Sequence, residues 1–133
     1  MKWLLDTNIC IFLIKKRSAK VIARLEECIP GDVGISSITL AELQYGVEKS
    51  SRPDANREAL QAFLIPLEIA FFEDAAAMAY GKLRAALESK GTPIGPLDML
   101  IGAHALSLGC TLVTNNTKEF TRIPGLHLKD WTR

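Results

Sequence analysis

Trp3-Leu4-Leu5-Asp6-Thr7-Asn8 decides how the rest of the chain is read. Apolar residues run straight into a carboxylate and two small polar groups, and Ile9-Cys10-Ile11-Phe12-Leu13-Ile14 follows as a helix-like segment. A short apolar run ending on an acid reads as the C-terminal tip of a buried strand, where open parallel sheets bind their ligands. The spacing predicts a strand over 2–6, with Thr7 or Asn8 capping the helix after it.

Working outward, Val21, Ile22 and Leu25 fall on one face of a second helix over about 18–28. Pro30-Gly31-Asp32 is a turn, and Val33-Gly34-Ile35-Ser36 is a second strand. Ser36 or Ser37 caps a helix that continues through Val47, and Pro53 opens another that reaches Leu64. A third strand is expected over 67–72. The longest helix, over 73–90, is rich in alanine and leucine and is stopped by Gly91. Thr92-Pro93-Ile94-Gly95-Pro96 breaks the pattern, after which Pro96 starts a largely buried helix closed by Gly109. A fourth strand over 111–114 ends on Asn115-Asn116; a helical turn over 117–120 and a last strand over 126–128 follow. Strands that alternate with helices make an α/β fold with a central, mainly parallel sheet of about five strands. No repeat or linker divides the chain, so one domain over 1–133 is expected, large enough to bury a core without staples.

Composition narrows the class further. The chain is 48% hydrophobic, which excludes disorder. Its net charge of +1, from 16 basic and 15 acidic residues, carries no broad electrostatic footprint. A nucleic-acid partner would therefore need local basicity. Cys10, Cys28 and Cys110 are an odd, scattered set that points to a reducing cytoplasm rather than a disulfide framework. Asp6 and Asn8 interrupt the apolar start before it can act as a signal peptide, and no apolar stretch approaches the ~18 residues of a membrane span. A cytoplasmic protein with no membrane partner is expected.

Three acids carry the candidate chemistry. Asp6 sits at a strand tip, although a turn or cap role would also explain it. Glu42 has Ile38, Thr39, Tyr45 and Gly46 at helical spacing, so the usual basic partner of a surface glutamate is missing. Asp98 lies in a first helical turn, where the dipole favours it. Its same-face neighbours Ile101, Gly102 and Ala105 are apolar or small, and an acid facing a packed surface is costly unless paired or bound to a metal. Asn116 and Glu119 follow the fourth strand; the first suits a turn and the second reads as an exposed acid. Three carboxylates without histidine or thiolate suit a hard cation such as Mg2+, which keeps several waters and accepts substrate phosphates. Such a site serves hydrolysis of a phosphodiester.

Other chemistries find less support. His104 and His127 are too far apart for a local zinc motif, and His104 reads as a partnered core histidine. Gly81-Lys82 lacks a P-loop's upstream glycines. Lys15-Lys16-Arg17 reads as a solvated helix end. An aspartyl-phosphate phosphatase would need a second aspartate two residues after Asp6, where Asn8 stands.

Four stretches, Leu4-Leu5-Asp6-Thr7-Asn8-Ile9-Cys10, Ser36-Ser37-Ile38-Thr39-Leu40-Ala41-Glu42-Leu43, Gly95-Pro96-Leu97-Asp98-Met99-Leu100-Ile101 and Leu112-Val113-Thr114-Asn115-Asn116, together resemble PIN domains. In particular they resemble the VapC-type toxins of bacterial toxin–antitoxin pairs. Each motif is weak alone; the ordered set spans the chain. The resemblance implies a three-layer α/β/α sandwich and an endoribonuclease dependent on Mg2+ or Mn2+. It puts Asp6, Glu42 and Asp98 on the family's acidic positions, with Asp6 and Asp98 as metal ligands and Glu42 completing the metal-binding cluster. It puts Thr7 on the hydroxyl position that supports the metal's hydration. It implies structured RNA as substrate, commonly tRNA at the anticodon region. It further implies a homodimer neutralised by a VapB-type antitoxin, which alone would contact operator DNA. Many PIN domains carry a fourth aspartate where this chain has Asn116, with Glu119 three residues on as the nearest acid. That substitution favours the alternative of a non-cleaving RNA- or protein-binding module.

Overall fold

Leu4 and Leu5 point to opposite faces of one strand, and the two hydrophobic cores of the protein grow from them. In the computed structural model, which describes residues 1–133, β1 (Trp3–Leu5) is the middle strand of five. Around it lie β2 (Val33–Ser36), β3 (Glu68–Ala70), β4 (Thr111–Val113) and β5 (Leu128–Lys129), in the order β3-β2-β1-β4-β5. Every pairing is parallel, with Leu4 opposite Gly34 on one side and Leu112 on the other. A parallel sheet must be covered on both faces. Seven helices cover this one: α1 (Thr7–Ile14), α2 (Ala19–Glu26), α3 (Ser37–Lys49), α4 (Pro53–Leu64), α5 (Asp74–Ser89), α6 (Pro96–Leu108) and α7 (Thr117–Phe120).

Leu5 packs with Ile9 and Leu13 of α1, Val21 of α2, Leu43 and Val47 of α3, and Leu60 of α4. Leu4 packs with Leu83 and Leu87 of α5, Ile101 of α6, and Phe120 of α7. The result is the expected α/β/α sandwich, with a fully rather than mainly parallel sheet. No helix is long and apolar enough to cross a membrane.

Local chemistry sets the element ends. Pro96 occupies the first turn of α6, and Gly109 ends that helix at φ +67°, a conformation glycine adopts without a Cβ penalty. Ser18 caps α2 and Ser36 caps α3, their hydroxyls accepting from the N–H groups of Val21 (3.2 Å) and Ile38 (3.0 Å). The cap of α1 is neither Thr7 nor Asn8. Asp6, still extended at φ −78° and ψ 172°, accepts from the Ile9 N–H at 2.9 Å, because the helix starts as soon as the strand ends. The last strand also differs from expectation. Leu126 turns back to donate to the Ile123 carbonyl, so pairing with β4 begins only at His127, whose carbonyl accepts from Leu112.

His104 joins the layers as a neutral core residue. It is 1% exposed, its Nδ1 lies 2.8 Å from Ser36 Oγ, and its ring meets Phe72 edge-on at 5.3 Å. Burial lowers its pKa, outweighing the Phe71 backbone bond and the Glu73 charge that act the other way. Gly34 lets β2 and β3 approach. A Cβ there would sit 2.6 Å from the Glu68 carbonyl oxygen and run into Met1 Sδ. Gly34→Ala should cost about 1–3 kcal/mol of stability by urea denaturation. A change below about 0.5 kcal/mol, the usual range for a surface substitution, would contradict this close approach.

Candidate active site

The C-terminal tips of β1 and β4 lie side by side, joined where Asp6 N–H donates to the Val113 carbonyl at 3.0 Å. Asp6 therefore leaves the sheet at its centre, only 4% exposed. Its carboxylate accepts from the Ile9 N–H and from the hydroxyl of Thr114, itself fully buried at the tip of β4. Burial nevertheless dominates and pushes its pKa from 3.8 to about 6. The two hydrogen bonds act downward, and the charges of Glu42 and Asp130 act upward.

Glu42 reaches this point from α3. The hydroxyl of Thr7, the first residue of α1, donates to Glu42 Oε1 at 2.7 Å and lies 3.4 Å from the buried Thr39 hydroxyl. Thr7 thus orients an acid on a neighbouring helix instead of capping its own.

Asp98 stands in the first turn of α6, as its sequence position implied, and is half-buried. Its pKa is raised to about 6. Burial is the main cause, followed by a hydrogen bond that its protonated form donates to Glu119, the Glu119 charge, and the charges of Asp6 and Glu42. Glu119 is therefore not the exposed acid its sequence position suggested: α7 turns it inward toward Asp98. Asn116 Nδ2 donates to Glu119 Oε2 at 3.0 Å.

All six residues singled out in the sequence thus fall in one neighbourhood, but the expected three-carboxylate cage is looser than anticipated. No group of three or more His, Cys, Asp or Glu side chains is drawn closely enough to hold an ion by itself. Glu42 is held by Thr7 and Glu119 by Asn116, and the mutual repulsion of the acids opposes tighter convergence. What the acids share is a lack of cations. The four ion pairs of the chain link Arg57 with Glu48 and Asp54, Arg84 with Glu88, and Arg133 with Asp130. None reaches Asp6, Glu42, Asp98 or Glu119. Desolvated negative charge without a counter-charge suits a hard divalent cation. Mg2+ commonly takes only one or two protein carboxylates, filling its shell with water and phosphate. The donor set fits such an ion.

Two participants were not anticipated from sequence. Thr114 contacts Asp6 only because β4 lies beside β1, and Asp130 bears on Asp6 only because β5 lies beside β4. Strand order, which places them, leaves no mark in local sequence. The basic run Lys15-Lys16-Arg17 is exposed at the far end of α1 from Asp6, in line with a solvated helix end. Beside Glu42, an open groove between α1, α3 and α4 is lined by Ile11, Ile14, Leu43 and Val47, with Lys15 and Lys49 at its walls.

Comparison with known proteins bears on the fold and the family. The PIN domain family model matches residues 3–126. A tRNA(fMet)-specific endonuclease VapC of Shigella flexneri is 45% identical over 132 residues, covering 99% of both chains. A ribonuclease VapC2 of Rickettsia felis is 47% identical over 134 residues, covering all of both. Among solved structures, a VapBC2 complex of Rickettsia felis bound to a DNA fragment from their promoter contains a chain that superimposes with a TM-score of 0.93. That chain is 47% identical, and the match covers 98% of this chain and 99% of that one.

Proposed function

The chain belongs to the PIN domain family, in its VapC branch, and on that premise we propose that it is the toxin of a toxin–antitoxin pair, an endoribonuclease dependent on Mg2+ or Mn2+. Its substrate is structured RNA, in this proposal tRNA cut near the anticodon. One observation carries the reading: four carboxylates gather at the strand tips without a cation to balance them.

Asp6 and Asp98 would hold the divalent ion, with Glu42 and Glu119 beside them. A cation there would neutralise the phosphodiester and make the attacking water more acidic. Glu42, oriented by Thr7, would accept that water's proton through its free oxygen. Asp6 is fixed twice, as the cap of α1 and by Thr114, so its carboxylate cannot swing away from the tip of β1. Burial around Asp6 keeps bulk water off its carboxylate and strengthens the charge interactions it makes.

The groove beginning beside Glu42 is the surface this reading gives to a VapB-type antitoxin. An apolar segment seated there would bring the antitoxin's tail to the acids. Homodimerisation, operator contact made only through the antitoxin, and a cytoplasmic location belong to the same proposal.

Expressing the chain without an antitoxin and mapping new RNA 5′ ends tests it. Ends clustered in the anticodon loops of one or a few tRNAs are expected. Growth arrest with no new RNA ends would instead favour a module that binds RNA or protein without cutting.

A further inference from the structure

Asn116 is the N-cap residue of α7, yet it does not cap. An asparagine at this position ordinarily accepts a backbone N–H through its side-chain oxygen, and a glutamate three residues on ordinarily closes the capping box by reaching back. Neither bond forms here. The Asn116 side chain makes no cap hydrogen bond, and its amide donates to Glu119 at 3.0 Å. The Asn116 backbone N–H, which Glu119 would take in a capping box, donates to Thr114 Oγ1 at 2.9 Å. That leaves the Thr114 hydroxyl proton free for Asp6. Local helix chemistry has been given up at both ends of the Asn116–Glu119 pair, and both ends lead to the site acids.

We propose that Asn116 is a positioning residue: its amide holds Glu119 turned toward Asp98 instead of capping α7. The inference rests on the cation-binding reading above. An aspartate at 116 could not donate and would face Glu119 as a like charge. An asparagine supplies the donor that a glutamate three residues on, in the same turn, requires. The tips of β4 and α7 then form one connected series, Asp6–Thr114–Asn116–Glu119–Asp98, which ties the two walls of the site together.

The test is calorimetric titration of the antitoxin-free protein with Mn2+ alone, on variants matched to wild type by circular dichroism and melting temperature. Asn116→Ala should weaken Mn2+ binding about tenfold, the usual effect of removing an outer-shell partner, although Asn116 is not itself a ligand. Glu119→Gln should weaken it at least as much. The double variant should be no more than about twofold weaker than Glu119→Gln, since both act through one carboxylate. Asn116→Asp should also weaken binding. Asn116→Ser replaces Asn116→Ala if the latter does not fold. Equal affinity of wild type and Asn116→Ala, additive effects in the double variant, or tighter binding by Asn116→Asp would each overturn the inference while leaving the cation site standing. A wild-type protein that takes up no Mn2+ would overturn both readings.

Discussion

Asp6→Asn should lose RNA cleavage by about a thousandfold or more, roughly 4 kcal/mol in barrier, and yet be the more stable protein when metal-free. Asparagine keeps the side-chain oxygen that caps α1, and asparagine and aspartate cap about equally well. What it removes is a nearly buried charge. The folded protein holds a proton on Asp6 up to about pH 6, whereas the unfolded chain releases it near 3.8. A group whose pKa is raised by folding contributes stability at low pH that is lost as pH rises through the folded value. Between about pH 4 and pH 6 the wild-type protein therefore loses up to about 3 kcal/mol through Asp6, with Asp98 adding to the trend in the same direction. At pH 8 in chelator, Asp6→Asn should melt on the order of 5 °C higher, and near pH 4 the difference should close. A variant less stable than wild type at pH 8 would show that the carboxylate is not under strain. Stability given up at a functional acid in this way is a common trade.

Trp131→Ala should cost about 3–5 kcal/mol, a large part of the 5–15 kcal/mol typical of a whole domain. Trp131 follows β5 by two residues and is 1% exposed, in one core with Leu5, Val21 and Val113. Its ring meets Trp3 edge-on at 5.7 Å and lies under the Arg24 guanidinium at 5.7 Å. The tail thus closes the core from which Asp6 emerges. Its indole N–H is buried without a partner, a cost of about 1–3 kcal/mol. Trp131→Phe removes that N–H while keeping most of the ring, so it should change stability by less than about 1.5 kcal/mol. Urea denaturation of both variants measures this. A cost below about 1 kcal/mol for Trp131→Ala would mean that the tail is not part of the core.

Asp6 illustrates how far sequence reasoning reaches. Leu4-Leu5-Asp6 announced a buried strand ending on an acid, the missing basic partner marked Glu42, and the apolar same-face neighbours marked Asp98; the fold brings all three to the C-terminal end of the sheet. The cap of α1 lies one or two residues before the expected Thr7 or Asn8 because the helix starts directly where the strand ends, so Asp6 itself accepts from the Ile9 N–H. Glu119 read as exposed because a four-residue helix has no periodicity from which to tell its inner face. Thr114, Asp130 and Trp131 escaped notice for a topological reason. Thr114 and Asp130 bear on Asp6, and Trp131 meets Trp3, across more than 100 residues of sequence, and only the order β1-β4-β5 brings them together. His104 was legible as a partnered core residue, but not its partner, Ser36, at the end of β2.

The most direct measurement is cleavage of purified total tRNA by the antitoxin-free protein, with Mg2+ and then with excess chelator, alongside Asp98→Asn. Discrete fragments that need Mg2+, vanish with chelator and are absent for a folded Asp98→Asn are the expected result. Fragments that persist in chelator, or full activity in Asp98→Asn, would contradict the assignment of these acids to a metal-dependent ribonuclease site.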